Sequence, residues 1–409
     1  MCEATRLRCG RRGEHKIGRL RPLAELDIDL FAGAGGLALG LHSAGFSPLS
    51  VYEKDKKACE TLRHNAGVGG TLSATVYEED VKEVVWDVCR KDVRLLAAGA
   101  PCQPFSLGGK HRAHQDERNL FPEVLRSVRA LKPKAVLIEN VRGILRADFQ
   151  PFFEYILRQL EYPSLASRKG EKWLDHDRRI RQHQCSAGYL PEYHVCWRLL
   201  EAADFGVPQL RKRVFIIATR IDLPIYQFPF STHSKETLEH QQLNGIYWER
   251  HGIGKPHTSR LQFPTNGRRE LIPWNTVRDA LVGLPAPQKD AEKASLNHWL
   301  IPGARSYAGH GGSRLDWPSK TIKAGVHGVP GGENTIVLDD GNVRYYTLRE
   351  AARIQTFPDP HFFSGARIHV TRQLGNAVPC LLATRVARPL FELLGSTSQR
   401  VAMRQAVNI

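Results

Sequence analysis

Between residues 25 and 220, short apolar runs alternate with stretches of helical periodicity, and this alternation restricts the fold more than any other feature of the chain. Strand-like runs lie at 25–31, 50–53, 93–99, 134–140, 194–202 and 213–220, and helical stretches end at 44 or occupy 55–65, 119–131 and 149–160. Strands alternating with helices build a mostly parallel sheet covered on both faces, a Rossmann-like doubly wound α/β layer. Ligands of such sheets bind beyond the carboxyl ends of the strands. Phe31, Glu53, Cys102 and Glu139 all fall at or just past a predicted strand end.

The pattern also divides the chain. Residues 1–22 carry seven Lys or Arg and two Glu, which reads as a basic flexible tail. The α/β domain is expected over 23–225. Within it, 163–191 breaks the alternation; 168–181 holds six Lys or Arg against three Asp or Glu, a basic surface insertion. From 226 to 345 periodicity is poor and Pro, Gly, His, Arg and aromatics accumulate, with nine glycines between 303 and 341. A smaller, irregular domain of β structure and loop is expected there. Helical patterning returns at 347–355 and after 379, so 346–409 should form terminal helices.

Charge and cysteine usage bound the partners. Across 409 residues, 58 Lys and Arg against 42 Asp and Glu give a net charge of +16. Such a chain suits a polyanion, since cationic side chains gain affinity by releasing the counterions of nucleic acid. A merely basic protein fits the charge equally well. The eight cysteines form no Cys-x-x-Cys pair and no zinc-ligand spacing, so no metal site is expected. They are scattered like thiols of a reducing compartment. No run suits a membrane span or a signal peptide, and a cytoplasmic protein without a membrane partner is expected.

Five motifs carry candidate chemistry. Asp29-Leu30-Phe31-Ala32-Gly33-Ala34-Gly35-Gly36 places glycines between a strand and a helix, where a ligand can approach the backbone. Glu53 ends the next strand, where a carboxylate can accept both ribose hydroxyls of a nucleoside cofactor. Asp80 ends a further strand-like piece and can hold an adenine amino group or form an acidic turn. In Gly99-Ala100-Pro101-Cys102-Gln103-Pro104, two prolines fix the backbone around one thiol, aiming a nucleophile. In Glu139-Asn140-Val141, a carboxyl at the end of an apolar strand can hold a proton; a capping or ion-paired Glu is the alternative. In Gln209-Leu210-Arg211-Lys212-Arg213, alternation along a strand puts both arginines on one face, suited to a phosphate or a base oxygen. Finally, an amphipathic helix stopped by Pro358 is followed by Gln373-Leu374-Gly375-Asn376-Ala377-Val378-Pro379, read as a turn before a terminal helix.

In this order, the motifs resemble the sequence blocks of the cytosine-5 DNA methyltransferase family over about 25–220 and 345–395. The resemblance implies an S-adenosylmethionine-dependent methyltransferase acting on duplex DNA. It implies that Cys102 attacks C6 of the target cytosine, that Glu139 engages N3 and the amino group, and that Arg211 and Arg213 hold the base and nearby backbone. It implies a cofactor pocket of Phe31, Gly33, Gly35, Glu53, Asp80, Val81, Pro101, Asn376 and Val378. Residues 226–340 fall where the family places its target-recognition domain, and the block around Asn376 is expected to fold back onto the first domain. Size resembles the bacterial restriction-modification members, which implies a monomer and a cognate restriction endonuclease needing no direct contact. Lys54 stands where some members carry an aromatic residue against adenine, so adenine packing must come from Phe31 or Val81. A tRNA cytosine methyltransferase of the same fold is the alternative; that branch carries Cys-Phe-Thr where this chain reads His361-Phe362-Phe363-Ser364. A non-catalytic DNA-binding relative would lack Cys102 or Glu139. A dinucleotide oxidoreductase would need a fuller glycine fingerprint.

Overall fold

The fold is taken from a computed structural model, which describes residues 26–47, 49–86, 92–101, 120–186, 190–254, 271–287, 289, 297–305, 311–325 and 334–407, with side chains to 395. Cys102 and the 1–22 tail lie outside the described residues. Seven strands form the main sheet: β1 (Leu26–Leu30), β2 (Leu49–Glu53), β3 (Ala74–Glu78), β4 (Val93–Gly99), β5 (Ala135–Val141), β6 (Tyr193–Glu201) and β7 (Lys212–Arg220). Their order is β3-β2-β1-β4-β5-β7-β6. Pairing is parallel from β3 to β5, while β7 runs antiparallel to both β5 and β6. The central strands are apolar throughout because both faces are covered: all but the last residue of β5 are buried.

Helices α1 (Gly36–Ala44) and α2 (Lys56–Ala66) follow β1 and β2, and α3 (Phe121–Leu131) and α4 (Gln150–Glu161) flank β5. One core layer unites Leu37 and Leu41 of α1 with Val51, Leu95 and Leu137 of the sheet. The opposite layer packs Val124, Val128, Phe153 and Ile156 against Ile28, Leu96 and Ile138. Helix α5 (Trp173–Gln184) lies within the expected insertion. It is packed rather than merely basic: His176 Nδ1 lies 2.7 Å from Tyr155 Oη, and Arg158 donates to Asp177 at 2.7 Å. Its cations Arg178, Arg179 and Arg181 each hold an acidic partner, so the stretch presents less free charge than its composition suggested.

The described part of 226–345 departs from the expected β and loop character. It holds short strands β8 (His233–Ser234), β9 (Ile272–Pro273), β10 (Ser313–Arg314), β11 (Thr335–Val337) and β12 (Val343–Tyr345). It also holds helices α6 (Lys235–Asn244), α7 (Ile246–Arg250) and α8 (Val277–Leu281). Capping explains helices that periodicity did not announce: Ser234 accepts from Thr237 N–H, and Thr276 with Asp279 forms a reciprocal capping box. Helix α6 buries only Leu238, so it has no apolar stripe to read. Val277, Ile301, Ile322 and Ile336 join the same core layer as α1, so this region shares the main core.

The chain closes through α9 (Leu348–Ile354), α10 (Arg367–Asn376) and α11 (Cys380–Val407). The Gln373–Asn376 string, expected as a turn, forms the last turn of α10, and only 377–379 links it to α11. Helix α11 crosses α1 at backbone distance. A Cβ on Gly36 would meet Val378 O at 2.3 Å, and one on Gly40 would meet Ala383 Cβ at 2.3 Å. Gly36→Ala is therefore expected to destabilise the protein by about 1–3 kcal/mol through overpacking. Urea unfolding checks this, and a variant as stable as the parent would show that the two segments separate freely.

Candidate active site

The carboxyl ends of β1, β2, β4 and β5 converge with the start of β7 and the α10–α11 link on one cavity of about 950 Å³. Phe31, Gly33, Glu53, Asp80, Val81, Pro101, Glu139, Arg211, Arg213, Asn376 and Val378 line it. These residues come from stretches spread across more than three hundred positions of sequence. Cys102, the residue after Pro101, lies outside the described residues.

The turn after β1 is strained into shape: Phe31, Gly33 and Gly35 have φ of 58°, 56° and 88°. Only glycine adopts such angles freely. Gly35, expected in the cofactor lining, does not face the cavity; an added Cβ there would meet Leu62 Cδ2 at 2.9 Å, toward α2. Its contribution is the backbone angle that starts α1. The turn in turn fixes Glu53, whose Oε2 accepts from Gly33 N–H at 2.8 Å while Oε1 accepts from the Lys54 and Asp55 N–H groups, each at 2.8 Å. Beside it, Lys54 Nζ lies 3.2 Å from Asp80 Oδ2, and Lys82 N–H donates to Oδ1 at 3.1 Å. Burial opposes ionisation of Asp80, but these two donors hold its carboxyl below the ordinary value.

Under the turn, Asp29 is fully buried, and neither carboxyl oxygen has a hydrogen-bond partner among the described residues. Burial, reinforced by the nearby Glu53 carboxylate, pushes its pKa up to about 8. Its signal in the sequence is an acid set between Ile28 and Leu30, although Asp27 in the same strand is also an acid and is paired with Arg94.

At the other end of the cavity, Glu139 is buried at the end of β5 and paired with Arg213, Nε to Oε1 at 2.9 Å. Burial raises its pKa, against the opposing pull of Arg213 and Arg211. A carboxyl so placed keeps its proton more readily than an exposed one. The adjacent Asn140 donates to Ala100 O at 3.3 Å, tying the end of β5 to the segment leading to Cys102. Arg142, Arg146, Lys212 and Arg372 complete a basic lining that sequence reading had not assembled.

Arg211 departs from its expected role. It precedes β7 and is 1% exposed. Its guanidinium donates to the carbonyls of Ile322 at 3.0 Å, Gly375 at 2.7 Å and Ala377 at 2.9 Å. Those bonds brace the links on either side of Asn376, leaving Arg213 as the arginine that meets Glu139. Gln209 adds to the brace through Gln355 Oε1 at 2.9 Å and Ile322 N–H at 3.0 Å.

A mostly parallel sheet of this order, with the Glu53 and Glu139 carboxyls facing one cavity beyond its strand ends, is of the methyltransferase-type α/β class. The family model for the C-5 cytosine-specific DNA methylases matches residues 27–162 and 182–392. The chain belongs to that family and is a DNA cytosine-5 methyltransferase. The unmatched gap falls within the insertion expected from sequence. The chain is 31% identical over 386 residues to the Type II methyltransferase M.Eco47II of Escherichia coli, covering 91% of this chain and 80% of that protein. It is 30% identical over 380 residues to M.PspPI of Psychrobacter sp. (strain TA137), with the same two coverages, 91% and 80%. In fold it is similar to the Schizosaccharomyces pombe Dnmt2 methyltransferase, with TM-score 0.52 and 19% identity over 90% of this chain and 99% of that one. No helix among the described residues is long and apolar enough to cross a membrane.

Asp29 generates a stability prediction. Its folded pKa, about 8, lies above its ordinary value of 3.8, so its favourable contribution is complete at low pH and is lost as pH rises toward 8. Without cofactor, the parent should lose up to about 4 kcal/mol from this group between pH 5 and pH 8. Asp29→Asn should lose much less. Urea unfolding at both pH values decides; parallel losses in the two proteins would remove Asp29 as the cause.

Proposed function

We propose that this cavity brings S-adenosylmethionine and a flipped-out cytosine of duplex DNA together, with Cys102, Glu139 and Arg213 carrying the reaction. The observation that carries the reading is the buried Glu139, held by Arg213 in the same cavity as the Glu53 carboxyl that the glycine turn fixes. The residues suit the cofactor. Glu53 presents oriented oxygens to a ribose diol, Asp80 can accept from an adenine amino group, and Phe31 and Val81 offer apolar surface. Lys54, tied to Asp80, walls the adenine end in place of an aromatic ring. Asn376 at the end of α10 and Val378 in the α10–α11 link close the pocket. Bound S-adenosylmethionine supplies an electrophilic methyl group.

The rest of the chemistry belongs to the chain. C5 of cytosine is a poor nucleophile. Addition of the Cys102 thiolate to C6, with a proton from Glu139 at N3, moves electron density to C5. Arg213 orients the ring through O2 and stabilises Glu139 when it returns to carboxylate. After C5 is methylated, its proton leaves to solvent, the C6–S bond breaks to free the Cys102 thiolate, and N3 returns its proton to Glu139, which restores the aromatic ring. None of these atoms is accessible in a stacked duplex, so flipping costs a few kcal/mol, offset by phosphate contacts to the basic lining. Residues 226–345 would read the target sequence. Since M.PspPI and M.Eco47II are Type II methyltransferases, the chain would serve as the modification partner of a restriction endonuclease that it need not touch, working as a single copy.

DNA carrying 5-fluorocytosine at the target tests the mechanism, because no C5 proton can leave. The parent should form a covalent adduct in the presence of cofactor, and Cys102→Ala should form none. Equal trapping by both proteins would exclude Cys102 as nucleophile. Glu139→Gln should lower single-turnover methylation about 10²–10⁴-fold, the usual range for a positioned acid. A rate near that of the parent would remove Glu139 from proton transfer.

A further inference from the structure

The His361-Phe362-Phe363-Ser364 segment, which the sequence sets apart and the proposed chemistry leaves unused, reaches the glycine turn of the cofactor pocket. We infer that His361 is a positioning residue for that turn, holding the Ala34 carbonyl and thereby the backbone that lines the cavity between Phe31 and Gly36. His361 is fully buried. Its Nε2 lies 3.2 Å from Ala34 O, and its Nδ1 lies 3.0 Å from Thr71 Oγ1.

The surrounding partners fix the tautomer. A carbonyl oxygen only accepts, so Nε2 must carry the hydrogen toward Ala34, and Nδ1 then accepts from the Thr71 hydroxyl. Asn65 Nδ2 approaches Nε2 at 3.4 Å, but its two hydrogens have nearer acceptors in Thr61 O at 2.7 Å and Phe362 O at 2.8 Å. Burial holds the imidazole neutral, pushing its pKa down to about 3. The His361 carbonyl is itself gripped by Arg349 at 2.8 Å. Phe362 N–H donates to Asn65 Oδ1 at 3.0 Å and Ser364 N–H to Thr61 Oγ1 at 2.9 Å, so α2 seats the whole segment.

The turn needs such a fixture. Three of its residues hold positive φ, a conformation that neighbouring structure must impose. Ala32 N–H is anchored to Tyr52 O at 3.2 Å and Gly33 N–H to Glu53 Oε2 at 2.8 Å, both toward β2. The His361 bond anchors the turn from the opposite, C-terminal side. Without it, the turn must be ordered when the cofactor binds, which raises the dissociation constant and the KM for the cofactor while leaving kcat at saturation unchanged.

The inference rests on the reading that S-adenosylmethionine occupies this cavity, and the test separates the two. Calorimetry would measure binding of S-adenosylhomocysteine, the demethylated cofactor, to the parent, His361→Asn, His361→Gln, Thr71→Val and Glu53→Ala, with a thermal melt of each. A Gln amide can place an N–H where Nε2–H stood; an Asn amide reaches Thr71 but is too short for Ala34. His361→Asn should bind about tenfold more weakly, and His361→Gln within about twofold to threefold of the parent, although both melt lower. Thr71→Val, which frees the tautomer, should weaken binding about twofold to fivefold and reports even if His361→Asn fails to fold. Equal weakening by the Asn and Gln variants, or none with Asn and with Thr71→Val, would reduce His361 to a packing residue. Unchanged binding by Glu53→Ala would instead defeat the placement of the cofactor.

Discussion

The close approach of α1 and α11 is the constraint on which the rest of the site depends. Gly36 and Gly40 leave room only for the backbone of Val378 and the methyl of Ala383, so helices more than three hundred residues apart in sequence meet without intervening side chains. That contact seats Asn376 and Val378 opposite the strand ends. The cavity is therefore a joint between the first β-α unit and the last helices. Arg211 and Gln209 make the joint rigid, because a buried guanidinium bonded to three carbonyls would leave several unsatisfied groups if the segments parted.

Within the joint, electrostatics separate two halves. The Glu53 end concentrates acid: the Glu53 carboxyl is fixed by three backbone donors, and Asp29 beneath it is kept neutral by burial and repulsion. A cationic ligand such as a sulfonium relieves that repulsion. The Glu139 end sets one buried acid against Arg213 and a basic lining. The net charge of +16 thus has a local counterpart in the cavity lining, whereas the cations of α5 are largely engaged with acidic neighbours.

Much of this was legible because strand ends carry ligand chemistry in a parallel sheet. Phe31, Glu53 and Glu139 could be placed from the pattern of apolar runs, and the structure brings them to one cavity. What could not be read was set by distant partners or local backbone angles. The alternation rule put Arg211 beside Arg213, but β7 begins one residue later and three far carbonyls claim the guanidinium. Gly35 was grouped with the pocket because a glycine needed for a left-handed angle looks the same in sequence as one needed for ligand clearance. Helices α6 and α8 owe more to caps than to periodicity. The antiparallel insertion of β7 between β5 and β6 is a matter of topology, which apolar runs do not encode. His361 gave no local signal, since both its ring partners lie about three hundred residues earlier.

The central claim is that one cavity, closed by the chain's own C-terminal block, places a methyl donor against C5 of a cytosine in DNA. Transfer of a labelled methyl group from S-adenosylmethionine to duplex DNA of mixed sequence, followed by digestion to nucleosides, tests it most directly. The account predicts label in 5-methylcytosine. Label confined to an exocyclic amino group, or no label in DNA of any sequence, would contradict it.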